Sequence, residues 1–360
     1  MEIPPYIPGR SVESIQQEFG ISKVYKLASN ENPLGPSPKA LKAIKKYLKN
    51  VHRYPDADAS CLKKKLAEKF NLSSENFLIG NGAAEIIDLI ALAFIDPDDE
   101  VLLSYPTFPK YYLSTKQVLG KVINIPMKDF HHDYKTMLNR ITQKTKLIFI
   151  DTPSNPVGSR LSKKEQEFII NALPDHVLLI IDEAYCDFVD KDDCLDTNQI
   201  VGERRNVLFL RSFSKGYGLS GLRVGYLIGH PDTIADVNRV REVFNVNSLA
   251  QVAAEAALDD DDHLKRTIEA NEKGKQYLYR QLKRLGIEFQ PTYANFILVN
   301  TNRPLDEVDE FLLKRGIIIR PLNLNGFTDG YIRVSIGKAS ANRAFINAME
   351  KLQLKMSESW

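Results

Sequence analysis

The sequence predicts an α/β fold: a large domain with a mostly parallel seven-stranded sheet between helices, followed by a smaller α+β C-terminal domain. Three observations predict it. From about residue 40 to 265, short apolar runs alternate with helical patterns, the spacing of a parallel sheet covered on both faces. Two of those runs, Val177–Ile181 and Val207–Leu210, are continuously apolar, as strands buried on both faces must be. After about residue 265 the texture changes to charged helices and isolated short strands.

The elements follow in order. Residues 1–39 are proline-rich with little periodicity and read as an extended N-terminal arm, expected to pack near the second domain. From Lys39 to Lys49, Leu41, Ile44, Tyr47 and Leu48 share one helical face and the lysines lie opposite, a solvated helix rather than a nucleic-acid patch. Residues 40–265 form the large domain. Its first strand, Phe77–Ile79, leads through Gly80-Asn81-Gly82 into a helix with Ile86, Ile87, Leu89, Ile90, Ala93 and Phe94 apolar. Glu100–Leu103, Val122–Ile125, Leu147–Ile150, Val177–Ile181, Val207–Leu210 and Val224–Ile228 complete the seven. The acidic run Asp259–Asp262 reads as a loop or helix end. Residues 266–360 form the small domain: a charged helix to Leu285, strand Phe296–Val299, helix Leu305–Arg315, strands Ile317–Ile319 and Tyr331–Ile336, and a final helix.

Composition narrows the function. The net charge of +2 gives no electrostatic case for nucleic acid or a membrane surface. The three cysteines, Cys61, Cys186 and Cys194, form no CxxC, and their odd number argues against a disulfide framework. The six histidines lack metal-ligand spacing, so no metal is expected, and His131-His132 reads as a surface-loop pair. No apolar run approaches the roughly 18 residues of a membrane span. The start, Met1 to Tyr6, lacks the charged and apolar regions of a signal peptide. A reduced, cytoplasmic enzyme is expected.

The chemistry sits at strand ends. Asp182 follows Val177–Ile181, and Lys215 stands 33 positions on, in Ser212-Phe213-Ser214-Lys215-Gly216 after Val207–Leu210. A carboxylate and an amine delivered by neighbouring parallel strands meet one flat, charged cofactor. Asp182 suits a protonated ring nitrogen, and Lys215 suits an aldehyde, as a Schiff base; together they point to pyridoxal 5'-phosphate (PLP). The lysine must be neutral to attack, which calls for a dry site. Small hydroxyls and cations around it (Ser212, Ser214, Arg211, Arg223) are what a phosphate-bearing cofactor needs. Gly80-Asn81-Gly82-Ala83-Ala84 opens a helix after a strand, where backbone N–H groups and the helix dipole favour an anion. Tyr185, three residues after Asp182, is expected to bond the cofactor's phenolic oxygen, as is Asn155 at another strand end. Tyr105, following the strand that ends at Leu103, is expected to stack on the cofactor face.

Over nearly its whole length the chain resembles the PLP-dependent transferases of fold type I, class I/II aminotransferases. The segments Tyr6-Ile7-Pro8-Gly9-Arg10, Lys26-Leu27-Ala28-Ser29-Asn30-Glu31-Asn32-Pro33 and His52-Arg53-Tyr54-Pro55-Asp56 are similar to signatures of the branch acting on histidinol phosphate. So are Phe244-Asn245-Val246-Asn247 and Tyr331-Ile332-Arg333-Val334-Ser335. The resemblance implies that Lys215 holds PLP, Asp182 its ring nitrogen, and Tyr185 with Asn155 its phenolic oxygen. It implies Tyr105 stacking on the ring, and Ala83, Ala84, Ser212, Ser214 and Arg223 on the phosphate. Tyr54 would reach that phosphate in the neighbouring subunit, which implies a homodimer. Arg333, Arg320 and Tyr25 would hold the substrate's anionic group, one guanidinium fork serving phosphate and carboxylate in turn. The implied reaction is ping-pong transamination of histidinol phosphate with 2-oxoglutarate in histidine biosynthesis. Aromatic amino acid transamination is the nearest alternative, and threonine-phosphate decarboxylation the next. A PLP-binding transcriptional regulator would need a helix-turn-helix ahead of residue 40, which the proline-rich arm does not accommodate.

Overall fold

Seven runs pair into one sheet; the central ones, rich in Leu, Ile, Val and Phe, are buried on both faces, while the edge strand Lys121–Pro126 is largely uncovered. The computed structural model describes residues 9–322, 327–328 and 330–357. The strands are β1 (Phe77–Gly80), β2 (Glu100–Tyr105), β3 (Lys121–Pro126), β4 (Thr145–Asp151), β5 (Leu178–Asp182), β6 (Val207–Ser212) and β7 (Gly225–Ile228). Their spatial order is β1-β7-β6-β5-β4-β2-β3. Only β7 runs against its neighbours, pairing antiparallel with both β1 and β6. Alternate side chains leave opposite faces of the sheet. Ile79, Leu102, Ile148, Ile150, Leu179, Ile181 and Phe209 enter one core. Leu78, Val101, Leu103, Phe149, Ile180, Leu208 and Leu210 enter the other.

Register delivers the polar residues. Asp151 closes β4 directly beside Asp182 at the end of β5, and Asp182 lies beside Leu210 of β6. Three parallel strands thus end at one edge, where open α/β sheets bind their ligands.

A second sheet comprises β8 (Glu288–Gln290), β9 (Phe296–Asn300), β10 (Arg320–Pro321) and β11 (Tyr331–Ser335), in the antiparallel order β10-β11-β9-β8. Its core includes Ile297, Val299, Ile332, Val334, Phe345 and Leu352. The run expected as a strand, Ile317–Ile319, is one at Ile317–Ile318, which pairs with Tyr25–Lys26; the separate strand β10 begins at Arg320 and pairs with β11. One 24-residue helix, Asp261–Arg284, spans the point where the sequence changes texture.

The arm differs from the extended segment expected. Val12–Phe19 is a helix, with the Ser11 side chain accepting from Ser14 N–H and Gly20 closing it at φ 63°. Its apolar stripe is only Val12, Ile15 and Phe19, too short to register as periodicity. Ile15 is nonetheless fully buried against Ala28, Leu313 and Ile318. Tertiary cover, not propensity, makes this helix. Tyr6, Ile7 and Pro8 of the arm signature lie outside the described residues.

His132 is not on a surface loop either. It is buried, its Nε2–H donating to the Asp151 carbonyl (2.8 Å) and its Nδ1 facing the Ser104 hydroxyl (2.6 Å). A carbonyl only accepts, so the proton sits on Nε2. Burial pulls this imidazole down to about 4, so it stays neutral. Among the described residues no helix is long and apolar enough to cross a membrane.

Candidate active site

A cavity of about 290 Å³ opens at the C-terminal ends of β4, β5 and β6, between the two sheets. Lys215 lies on its wall. The chain leaves β6 at Ser212, buries Phe213, and turns through Ser214-Lys215-Gly216. At Gly216 a Cβ would stand 2.3 Å from the Asp187 carboxylate, so any larger residue must displace that side chain. Lys215 Nζ donates to the Ser29 carbonyl at 3.2 Å and lies 5.5 Å from the centre of the Tyr185 ring. Burial, with the Arg333 and Arg223 guanidinium groups adding to it, pulls this amine down to about 7. It is therefore substantially neutral at physiological pH, the state in which an amine attacks a carbonyl.

Asp182 is buried at the end of β5. Its Oδ2 accepts from the Tyr111 hydroxyl at 2.7 Å and its Oδ1 from the Ala184 N–H at 2.9 Å. Burial pushes its carboxyl up to about 6, and the Tyr111 bond opposes that rise. Tyr111 is itself buried and stacked on Phe149 at 4.8 Å. Asp151, one strand over, accepts from the Asn155 N–H at 2.6 Å, and burial pushes it up to about 7.

Tyr185, Asn155 and Arg333 line the cavity further out. Tyr185 packs edge-on against Phe296 at 5.2 Å and accepts from Asn30 Nδ2 at 2.9 Å. Arg333 donates through Nη1 to Asn155 Oδ1 and through Nη2 to the Ala28 carbonyl at 2.8 Å. Arg320 pairs with Arg333 across β10 and β11, and both line the cavity.

An anion cradle lies at the remaining end. Gly82, at φ 79°, caps the helix Ala83–Phe94 without any side-chain bond to the first turn. A Cβ on Gly82 would meet Arg223 Nη2 at 2.4 Å, and one on Gly225 would meet Ala83 N at 2.8 Å. The two glycines therefore let a guanidinium close over a helix N-terminus, with Ser212, Ser214 and Ser220 alongside. The cradle, a neutral-prone amine and a buried carboxylate within one cavity fit PLP: an anion site, an aldehyde partner and a ring-nitrogen partner.

The cavity thus gathers Ala83, Ala84, Asn155, Asp182, Tyr185, Ser212, Ser214, Lys215, Arg223, Arg320 and Arg333 of the residues expected from sequence. It does not gather three others. Tyr105 is 37% exposed and outside the lining; Phe108 and Tyr111, at the start of the following helix, line the cavity. Tyr54 is 82% exposed and stacks on Phe244 at 4.8 Å. Tyr25, on the arm's short strand, carries Lys23 Nζ over its ring at 5.4 Å. The sequence reading passed over Tyr111, Asp151, Phe108 and Asn30 as site residues. The first three follow strand ends or sit at one, which is the signal that was available. Asn30 carried only its place in a family-like segment.

Comparison with known proteins places this geometry. The family described as "Aminotransferase class I and II" matches residues 22–349. A histidinol-phosphate aminotransferase of Moorella thermoacetica is 43% identical over 98% of this chain and 91% of its own. The solved structure of histidinol-phosphate aminotransferase from Sinorhizobium meliloti, in complex with pyridoxal-5'-phosphate, superposes at TM-score 0.89 with 26% identity, covering 96% of each chain. An L-threonine-O-3-phosphate decarboxylase from Porphyromonas gingivalis shares the fold at TM-score 0.82 and 24% identity, covering 92% of this chain and 99% of its own.

Proposed function

This chain belongs to the class I and II aminotransferases, and we propose that it moves the amino group of histidinol phosphate to 2-oxoglutarate, giving imidazole acetol phosphate and glutamate. One observation carries the reaction class: Lys215, Asp182 and Arg333 line a single cavity that ends in a phosphate-type cradle. The substrate rests on end-to-end similarity to histidinol-phosphate aminotransferases.

When bound, PLP supplies an aldehyde to take the amino group and a cationic ring to draw electrons from the substrate carbon. Lys215 would hold the cofactor through its amine and, when that amine is free, would carry a proton to and from the substrate Cα. Asp182 keeps the ring nitrogen protonated. Tyr185 and Asn155 hold the phenolic oxygen, and Arg223, Ser212, Ser214 and the N–H groups of Ala83 and Ala84 hold the phosphate. Phe108, facing the cavity where Tyr105 does not, covers the ring face. Arg333 and Arg320 fix the substrate's anionic end, the phosphate in one half-reaction and a glutamate carboxylate in the other. Tyr54, exposed on this chain, contacts the phosphate in a second copy, so the working unit is a homodimer. Tyr25, on the arm, completes the substrate contact of its own or the neighbouring site.

Single-turnover absorbance on the PLP-loaded protein tests this. Histidinol phosphate, glutamate, phenylalanine and threonine phosphate are added one at a time. Rapid formation of the aminated cofactor by the first two, with phenylalanine much slower, supports the proposal. Rapid reaction with phenylalanine but not histidinol phosphate replaces it with aromatic transamination, and CO₂ release from threonine phosphate with a decarboxylase. Arg333→Ala is expected to lower kcat/KM of both half-reactions by roughly ten- to a hundredfold, the worth of one charge-assisted contact. Loss confined to the glutamate half would show that the two anions do not share it.

A further inference from the structure

Asn30 lines the cavity and is hydrogen-bonded through both its backbone and its side chain, and nothing above assigns it a role. It is 1% exposed and sits at φ 54°, a left-handed conformation that asparagine tolerates. Its N–H donates to Ser335 Oγ at 2.8 Å, and Ser335 Oγ donates in turn to Asn30 Oδ1 at 2.9 Å. Its carbonyl accepts from Asn295 Nδ2 at 3.0 Å. Its Nδ2 donates to the Tyr185 hydroxyl oxygen at 2.9 Å.

These bonds have a direction. Ser335 Oγ accepts from the Asn30 N–H and gives its single proton to Oδ1. That sets the amide with Nδ2 toward Tyr185. The Tyr185 oxygen then accepts a hydrogen bond from Asn30 Nδ2–H and keeps its own O–H for another acceptor. With the amide reversed, Oδ1 would take the tyrosine's proton and leave the hydroxyl unable to donate into the cavity.

We propose that Asn30, held by Ser335, is a positioning residue that orients the Tyr185 hydroxyl as a hydrogen-bond donor to the phenolic oxygen of the cofactor. The proposal rests on the reading of Tyr185 as a contact of that oxygen. It links the arm and the β11 strand to the electronic state of the site, since Asn30 and Ser335 lie 305 positions apart. A donor on the phenolic oxygen stabilises the more negative, deprotonated form of the lysine-bound cofactor and so lowers the pH at which its absorbance titrates. Asp182, Asp151, Lys215 and Arg333 also face Tyr185, and they stay in place in every variant used.

The experiment is a pH titration of cofactor absorbance in the PLP-loaded protein, with no substrate present. Asn30→Gly removes the amide while accepting the positive φ. It is expected to raise the midpoint by roughly half a pH unit, the size of one hydrogen bond. Tyr185→Phe is expected to raise it at least as far, and Asn30→Gly added to Tyr185→Phe to raise it no further. Ser335→Ala, which frees the amide to turn, is expected to shift it in the same direction, and it serves if Asn30→Gly does not hold cofactor. An unchanged midpoint in Asn30→Gly or Ser335→Ala, beside a shifted Tyr185→Phe, overturns the proposal and leaves Tyr185 on the phenolic oxygen. A full additional shift in the double variant also overturns it, since Asn30 then acts by another route. An unchanged midpoint in Tyr185→Phe overturns both the proposal and the Tyr185 assignment.

Discussion

Lys215→Ala leaves a protein that binds PLP but turns over roughly 10⁴-fold more slowly, or not at all. The expectation follows from two duties on one amine. In the proposed reading Lys215 is both the covalent tether and the proton carrier, and among the described residues it is the only lysine lining the cavity. The cradle of Arg223, the serines and the helix N-terminus does not depend on it, so the cofactor's phosphate still binds. Stopped-flow absorbance with histidinol phosphate measures the loss, and equilibrium dialysis measures retained PLP. Near-normal turnover would end the assignment. The same amine gives a pH prediction for the unaltered chain. Because burial brings it down to about 7, the neutral fraction rises as pH climbs through that value. Covalent capture of PLP by the apoprotein is expected to accelerate from pH 6 to 8 and then level off. A rate still climbing steeply above pH 9 would mean the amine is not depressed.

Asp182→Asn is the second large effect. An amide is close in shape but carries no negative charge, so the ring nitrogen loses the partner that keeps it protonated. A loss of roughly 10²- to 10³-fold in the rate of the first half-reaction is expected, the scale of a removed electrostatic partner in a dry site. Tyr111→Phe separates charge from support. It removes the 2.7 Å bond that holds Asp182 and favours its ionised form, but it leaves the carboxylate in place. About a tenfold loss is expected there, one hydrogen bond's worth. Single-turnover rates distinguish the two variants, and equal losses would mean that Asp182 acts by position alone.

The seven strands were legible because a doubly covered strand writes its burial into consecutive residues; β5, Leu-Leu-Ile-Ile-Asp, is buried throughout. The residues at their ends were legible for the same local reason. The arm helix was not, since three apolar residues signal nothing until Leu313 and Ile318 cover them. Tyr105 was expected on the ring because it follows a strand; it stands outside the cavity lining, which takes in Phe108 and Tyr111 from the start of the next helix.

The sequence by itself determined that Asp182 and Lys215 follow two buried strands, that a glycine-lined turn opens a helix, and that this pattern is that of a PLP enzyme. These are facts of short range, set by side-chain burial and by glycine's freedom over a few residues. Only the tertiary structure decided what holds those groups. Tyr111 meets Asp182 across 71 positions, Asn30 meets Tyr185 across 155, and Arg333 meets Asn155 across 178. Such hydrogen bonds cost nothing to leave unwritten in local sequence. They form because burial removes water from each polar group and leaves a distant partner as the one way to satisfy it.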